Sequence, residues 1–212
     1  MRAIGHELKT PVAIINGYIE ALQDGIIEET EKEKIYEIIY NEAMSIDKLV
    51  KDINSYLKSE FKDLKPTFEK INMKKVIEFG LKKYSLDIEQ KKVDLRLELE
   101  DLEMKTDVKI FNIILNNLLT NALTYMNDEK KLGIYLRDNS LVIENSTDTI
   151  SDEVIEKIFN PFYKIDSSRN RKYGGTGLGL SIVKNLLEAL NLKYSFTYDK
   201  DRKFAKFTII FL

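Results

Sequence analysis

Residues 1–58 carry an apolar repeat at helical spacing, and this repeat limits what the chain can fold into more than any other feature. The repeat stops near Gly25 and then resumes, with Glu42 as the one polar position of the second stretch. Two amphipathic stretches joined by a short link predict an antiparallel helical hairpin. The repeating positions are Ile4, Leu8, Pro11, Ile15, Tyr18 and Leu22, followed by Ile35, Ile39, Ile46, Leu49, Ile53 and Tyr56.

A hairpin of this size buries too little apolar surface to be stable alone. Two copies that form a four-helix bundle would cover both stripes, so we expect a homodimer through the hairpin. The helical spacing ends around Lys58–Pro66, where Pro66 cannot continue a helix. These features divide the chain into a hairpin at residues 1–58, a linker at 59–67 and a second domain at 68–212.

Helical and alternating patterns interleave in the second domain. The pair Asp138-Asn139 predicts the turn of a hairpin between two of its strands. Helices packed on one face of a mixed sheet form an α/β sandwich, so the whole chain is α+β with two domains. The expected elements are helix Met73–Gln90, strand Val93–Glu98, helix Asp107–Met126, strands Leu132–Arg137 and Leu141–Asn145, a short helix, helix Leu178–Leu190, and strands Lys193–Tyr198 and Phe204–Leu212.

The composition excludes several classes of protein. The chain has no cysteine, which excludes disulfides and thiol catalysis, and its single histidine argues against a histidine-based zinc site. A net charge of -2 gives no case for binding nucleic acid or an acidic membrane. No apolar run approaches the ~20 residues that cross a bilayer, and no signal peptide opens the chain. We expect a soluble fragment of a longer protein, without membrane contact of its own.

The first candidate site is Gly5–Pro11, which contains the single histidine. A neutral imidazole is a good nucleophile near pH 7, and the adjacent Glu7 can orient the ring of His6 and accept its proton. Thr10 follows His6 by one helical turn, so it shares that helix face and could position a water there. Pro11 should bend the helix. On spacing alone, a surface histidine on a charged helix is an equally good interpretation.

The second candidate is the asparagine-rich run Asn116–Tyr125. Asn117 and Asn121 are one helical turn apart and project from one face. Their amide oxygens suit Mg²⁺, which prefers hard oxygen ligands and keeps substrate phosphates in its shell. Taken alone, the run is better explained as solvent-facing polar residues opposite an apolar stripe.

The third candidate is the glycine-rich run Gly174–Ser181, which leads into a helix. Glycines let a backbone approach phosphate closely, and a helix start offers free N–H groups. The run matches neither a P-loop nor a dinucleotide fingerprint, but its glycine density favours phosphate binding over a plain turn. The preceding basic loop, Asn160–Tyr173, suggests a mobile lid whose cations, Lys164 and Arg171 among them, meet the phosphates. For any single one of these cations, a solvated surface position is the better-supported alternative.

Together these segments resemble the sensor histidine kinases of two-component systems. His6–Pro11 resembles the H box of that family and Asn117–Tyr125 resembles the N box. Phe159–Lys164 resembles the F box, and Gly175–Leu180 resembles the second glycine box. One motif would be weak evidence, whereas four in order with natural spacing are highly specific. The resemblance implies a dimerisation and histidine-phosphotransfer hairpin followed by an ATP-binding domain of the Bergerat type, as in gyrase and Hsp90.

The resemblance also implies an activity and its partners. The chain would use ATP and Mg²⁺ to phosphorylate His6, then pass the phosphoryl group to an aspartate of a response regulator. Glu7 would be the base, and Thr10 would help a reverse, phosphatase reaction on the regulator. The full-length protein would be anchored in the cell membrane. Residues implied to hold ATP are Asn117, Asn121, Tyr125, Asn145, Lys164, Arg171, Gly175, Thr176, Gly177, Leu178 and Gly179, with Asn117 and Asn121 on Mg²⁺ and Tyr125 against the adenine.

Two positions depart from the family pattern. The first glycine box usually reads Asp-x-Gly-x-Gly, but the matching stretch here is Asn145–Ile150, with Asn145 in place of the aspartate and no glycine. A neutral amide would weaken ATP binding by around a kcal/mol. Asp148 could take the place of that aspartate only if the alignment with the family pattern were shifted relative to Ile150 and Phe159. Thr124 stands where many relatives have a basic residue.

The altered first glycine box motivates an alternative function. In it, the chain is a degenerate module that binds nucleotide poorly and acts as a dimeric scaffold or mainly as a phosphatase. A simple ATPase related to gyrase or Hsp90 is disfavoured by the H box on its helical hairpin.

Overall fold

The structure is a computed structural model in which residues 2–60, 65–164 and 175–211 are described. Helices α1 (Arg2–Gln23) and α2 (Lys32–Glu60) form the predicted hairpin. The chain reverses through Gly25, whose φ of +68° lies in the left-handed region, and through a short 3₁₀ turn at Glu29–Glu31. Pro11 lies inside α1 and does not end it. No helix in these ranges has the length and apolarity needed to cross a bilayer.

The hairpin has apolar side chains on two faces. The predicted stripe faces inward, since Pro11, Ile35 and Leu49 are buried. A second set of apolar side chains is exposed in the single chain. Exposed apolar surface of this extent is unfavourable in water and is typical of an interface with another protein. This exposed set consists of Val12, Ile19, Ile26, Tyr36, Tyr40, Met44, Val50 and Leu57.

The second domain is an α/β sandwich with a mixed five-stranded sheet, as predicted. Its strand order is β2-β4-β5-β7-β6, in which β2 and β4 are parallel and the other pairs are antiparallel. A separate antiparallel pair, β1 and β3, was not expected from the sequence. The bounds are β1 Glu69–Asn72, α3 Met73–Lys82, α4 Ser85–Gln90, β2 Asp94–Leu99, β3 Glu103–Thr106, α5 Val108–Thr124, β4 Lys131–Arg137, β5 Ser140–Ser146, α6 Asp152–Lys157, α7 Gly179–Ala189, β6 Lys193–Asp199 and β7 Phe204–Ile210.

Helix α5 lies at the centre of the core. Its apolar residues contact α3, α7 and the inner face of the sheet, and Phe111, Ile114 and Leu119 have no exposed surface. The strands contribute alternate residues to the same core, as a half-buried sheet requires. In β4 and β5 the fully covered apolar positions are Leu132, Ile134, Leu136 and Leu141.

One sequence signal acts locally as expected, and another does not. Asp138 and Asn139 both have φ of 51°, which is the left-handed pair that a tight β4–β5 hairpin turn needs. The helix predicted at Met73–Gln90 is broken into α3 and α4 around Tyr84, whose ring is buried. Burial of this ring overrides the helical pattern, so the chain bends there.

Asp107 caps the start of α5 and also holds the end of the linker. Its Oδ1 accepts from the N–H groups of Lys109 and Ile110, and its Oδ2 accepts from Thr67 N at 2.8 Å. Burial raises the pKa of the Asp107 carboxyl, but these three donors and the charge of Lys109 outweigh it and hold the pKa below its ordinary value.

We expect Asp107→Ala to lower the free energy of unfolding by about 1–2 kcal/mol, because three backbone donors lose their acceptor. Asp107→Asn keeps an acceptor but loses the charge. Because the folded-state pKa is depressed, the advantage of wild type over Asp107→Asn is complete above pH ~4 and disappears as pH falls through the folded-state value. Urea unfolding of both proteins between pH 3 and 7 measures this difference, and a gap that stays constant with pH would contradict it.

Candidate functional site

Two side chains on α5, and that of the residue directly after it, face the glycine-rich segment. A Cβ atom added to Gly179 would lie 3.1 Å from Asn117 Oδ1 and 3.5 Å from Asn121 Oδ1. A Cβ atom added to Gly175 would lie 2.7 Å from the hydroxyl of Tyr125. The structure therefore brings together two motifs that are far apart in the sequence, since Asn116–Tyr125 ends well before Gly174–Ser181 begins.

Hydrogen bonds fix how α5 presents these side chains. Asn117 Nδ2 donates to Ile113 O at 2.8 Å, which leaves its Oδ1 towards the glycines. On the adjoining face, the Tyr84 hydroxyl contacts Asn116 Oδ1 at 3.3 Å and Thr120 Oγ1 at 3.1 Å. Sequence reasoning missed Tyr84, because nothing in its local pattern indicates a contact with a helix that begins 24 residues later.

The glycine loop is backed by the segment that resembles the F box. Phe162 N donates to Gly177 O at 2.9 Å, and Gly177 has a φ of +71°. A Cβ atom on Gly177 would lie 2.8 Å from Phe162 C and from Tyr163 O, both backbone atoms. Phe159 anchors the segment to the sheet through Tyr194, with ring centroids 5.5 Å apart. The loop is shaped by a close backbone approach that a side chain would prevent.

The start of α7 follows this loop directly. Leu178 N contacts Thr176 Oγ1 at 3.4 Å, and the Leu178 side chain has no exposed surface. The part that Leu178 can offer a ligand is therefore its backbone, since its side chain belongs to the core. Gly179 opens α7, whose first N–H groups have no partner within the helix.

Asn145 lies near the end of β5, beside the end of α5. It is buried, and by strand alternation it points to the same side as the core residues Leu141 and Ile143. Its Nδ2 donates to Ser146 O at 3.0 Å, and the next residue on that face, Thr147, donates to Tyr125 O at 2.8 Å.

This arrangement shows which residue, Asn145 or Asp148, lies where the aspartate of the first glycine box is expected. Asp148, the alternative to Asn145, is exposed beyond the strand end. Asn145 is the residue that points towards α5.

Burial raises the pKa of the Tyr125 hydroxyl, so this ring remains neutral over the physiological range.

The hairpin meets the second domain at the glycine loop. Lys164 Nζ donates to Glu7 Oε2 at 2.5 Å, and the exposed fractions of the two side chains are 17% and 37%. Thr176 Oγ1 donates to Asp52 Oδ2 at 2.7 Å. The sequence predicted Lys164 and Thr176 as nucleotide contacts and did not indicate their partners on the hairpin.

The remaining predicted residues lie as follows. His6 is on α1, directly before Glu7, although its side chain lies outside the described part of the structure. Thr10 is exposed on α1, one turn further along. Arg171 also lies outside the described residues.

These residues fit a nucleotide with Mg²⁺. Asn117 and Asn121 offer amide oxygens, which are hard ligands of the kind Mg²⁺ prefers. Gly179 lies against these amides, Gly175 lies against the Tyr125 hydroxyl, and Gly177 lies against the backbone of Phe162 and Tyr163. The loop is therefore bare backbone, as close approach to phosphate requires.

Comparisons with known proteins agree with this arrangement. The family model described as histidine kinase-, DNA gyrase B-, and HSP90-like ATPase matches residues 106–212, and the His kinase A (phospho-acceptor) domain matches residues 1–61. The sensor protein kinase WalK of Staphylococcus haemolyticus is 28% identical over 195 residues, covering 89% of this chain and 32% of WalK. The sensor histidine kinase CssS of Bacillus subtilis is 29% identical over 203 residues, covering 94% of this chain and 44% of CssS. The chain thus spans less than half the length of these relatives.

Solved structures show the same fold. The histidine kinase AdeS of Acinetobacter baumannii superposes with a TM-score of 0.74 at 26% identity, covering 96% of this chain and 95% of that one. The histidine kinase ThkA, solved in complex with the response regulator TrrA, superposes with a TM-score of 0.76 at 24% identity, covering 99% of this chain and 60% of ThkA. With a phospho-acceptor hairpin and an ATPase domain matched in succession, the chain belongs to the sensor histidine kinases.

Proposed function

We propose that this chain transfers the γ-phosphoryl group of ATP to His6 and then to an aspartate of a response regulator. The observation that carries this proposal is the contact of Lys164 with Glu7. It joins the residue after His6 to the segment that backs the glycine loop, so the acceptor segment and the candidate ATP site are neighbours.

Each face of the site would hold a different part of the nucleotide. Asn145 and Tyr125 would contact the adenine, where a buried amide oxygen can accept from an amino group. Gly175, Gly177 and the start of α7 would meet the phosphates with backbone N–H groups. Asn117 and Asn121 would hold Mg²⁺ by their amide oxygens. Bound there, Mg²⁺ would neutralise the charge that develops on the transferred group.

His6 would act as the nucleophile. Its ring nitrogen would attack the γ-phosphorus as the bond to the bridging oxygen breaks, and ADP would leave with that electron pair. Lys164 holds Oε2 of Glu7 in the structure, so Oε1 is the oxygen that would accept the ring proton. In the second transfer the nitrogen–phosphorus bond would break as a carboxylate oxygen of the regulator takes the phosphoryl group.

The proposed partners follow from the hairpin. Its exposed apolar face supports a homodimer, because a second copy would bury that surface. ThkA, which has the same fold, is solved in complex with a response regulator, and this supports a response regulator as the second partner of this chain. Thr10, exposed on α1, would position a water for a phosphatase reaction on the regulator. The similarity to sensor kinases of greater length supports a membrane anchor elsewhere in the full-length protein.

Incorporation of label from γ-labelled ATP with Mg²⁺ tests the proposal. We expect acid-labile, base-stable label on wild type and a loss of at least about 100-fold in His6→Ala, because the nucleophile is gone. ATP affinity by calorimetry should be equal in the two proteins, which shows that the variant is folded. Equal labelling of His6→Ala would overturn the assignment.

Nucleotide titration separates this function from its alternative. The neutral Asn145 amide favours a degenerate module that acts as a scaffold or mainly as a phosphatase. If neither protein is labelled and neither binds ATP, that alternative holds. Release of free phosphate without any label on the protein would instead indicate a simple ATPase.

A further inference from the structure

We propose that autophosphorylation occurs in cis, so that each ATPase domain of the dimer phosphorylates His6 of its own chain. This inference rests on the proposed function and specifies which of the two histidines in a dimer receives the phosphoryl group. It follows from the contacts between the second domain and the hairpin to which it is covalently linked.

The first contact places the domain against its own α1. Lys164 pairs with Glu7, and only 17% of the Lys164 side chain is exposed, so this ion pair is better protected than a surface pair. Two residues before Lys164, the N–H of Phe162 donates to Gly177 O. A single short path thus connects the glycine loop to the residue that follows His6 in the same chain.

The second set of contacts places the domain against its own α2. Thr176, within the glycine loop, donates to Asp52, and the Thr176 side chain is buried. Asn185 on α7 donates to Ser59 Oγ at 3.2 Å. Ile53 packs against the core of the domain beside these polar pairs. The docked face thus extends along α2 and contains both polar and apolar contacts.

The covalent connection limits the alternatives. Helix α2 ends at Glu60, and Lys65 is five peptide units further on, a reach of at most about 18 Å. The linker therefore keeps the domain beside the bundle that contains its own hairpin, and the contacts described above are with that hairpin. Delivery to the partner's histidine would require it to leave α1 and α2 together, whereas delivery to its own His6 requires a shift along a surface that it already contacts.

Purified mixed dimers with two affinity tags test the proposal. The first pairs wild type with the double variant His6→Ala, Asn121→Ala, and the second pairs His6→Ala with Asn121→Ala. For transfer in cis, the first should carry about half the label of the wild-type dimer and the second only background, because in the second no chain holds both an ATP site and a histidine. Label on the second mixed dimer, or none on the first, would overturn the proposal.

Controls separate this inference from the function on which it rests. Asn121→Ala homodimers must be unlabelled, and Asn117→Ala is added to the same subunit if they are not. An unlabelled wild-type dimer would overturn the proposed function and this inference with it. A labelled wild-type dimer with the reverse pattern in the mixed dimers would overturn the inference alone.

A crosslink tests the docked arrangement without any catalysis. The chain has no cysteine, so Asp52→Cys with Thr176→Cys introduces the only pair of thiols. The side chains of these two positions are in contact, which a disulfide requires. After oxidation, the product should run as a monomer on a non-reducing gel and have lost both free thiols, because the two cysteines are on one chain. A predominant dimer-sized product would show docking on the partner and overturn the proposal.

Discussion

Gly177→Ala should reduce ATP affinity by at least about tenfold and autophosphorylation in proportion. Gly177 has a φ of +71°, where an L side chain costs about 1–2 kcal/mol. Its Cβ would also lie 2.8 Å from backbone atoms of Phe162 and Tyr163, which cannot rotate away as a side chain can. The loop must therefore change shape, and a cost of 1.4 kcal/mol already corresponds to a tenfold loss of affinity. Isothermal titration of ATP measures the effect.

Two other glycines provide matched controls. Gly25→Ala imposes the same backbone strain at a φ of +68°, but in open space on the hairpin, so ATP affinity should not change. Gly175→Ala would meet the hydroxyl of Tyr125, the end of a side chain that can move, so its effect should be smaller than that of Gly177→Ala. Equal affinities for Gly177→Ala and wild type would show that the phosphates do not depend on this loop.

Leu119→Ala should lower the free energy of unfolding of the second domain by about 2–5 kcal/mol. Leu119 has no exposed surface and lies in the core beneath the site, so its truncation leaves a cavity. Ile113→Ala is the matched control, because Ile113 is an aliphatic residue on the same helix with 40% of its surface exposed. We expect the control to cost less than about 1 kcal/mol.

Urea unfolding followed by circular dichroism measures both variants. The free energy of unfolding should fall with urea concentration at the same slope in both variants as in wild type. Differences between the midpoints then report differences in stability. Similar midpoints for Leu119→Ala and Ile113→Ala would contradict the central position of α5 in the core.

Much of the fold could be predicted because its signals are local. The hairpin follows from the 3.6-residue repeat, and the β4–β5 turn follows from two residues, Asp138 and Asn139, that tolerate positive φ. Strands β1 and β3 were missed because they are four residues long, mostly polar, and stabilised by pairing with each other across the chain. The break at Tyr84 was missed because its cause is burial of the ring beside another helix, which no local pattern indicates.

The site could be predicted only in parts. Asn117 and Asn121 taken alone were better explained as solvent-facing residues, but the structure places them half-buried against Gly179. Their roles as ligands of Mg²⁺ remain a prediction. The partner of Lys164 could not be inferred, since Glu7 is 157 residues away and no periodic pattern relates the two. Sequence motifs predict which residues form the site, and contacts across the fold decide what each one touches.

The hydrogen bond from Thr67 to Asp107 has a mechanical consequence. It fastens the chain that leaves the hairpin to the first turn of α5, and the last turn of α5 adjoins Tyr125. Helix α5 is 17 residues long and therefore a stiff rod of about 25 Å. The end of the linker and the two asparagines are thus joined to one rigid element. Neither can move relative to the other unless the hydrogen bond at Asp107 breaks or α5 is displaced within the core.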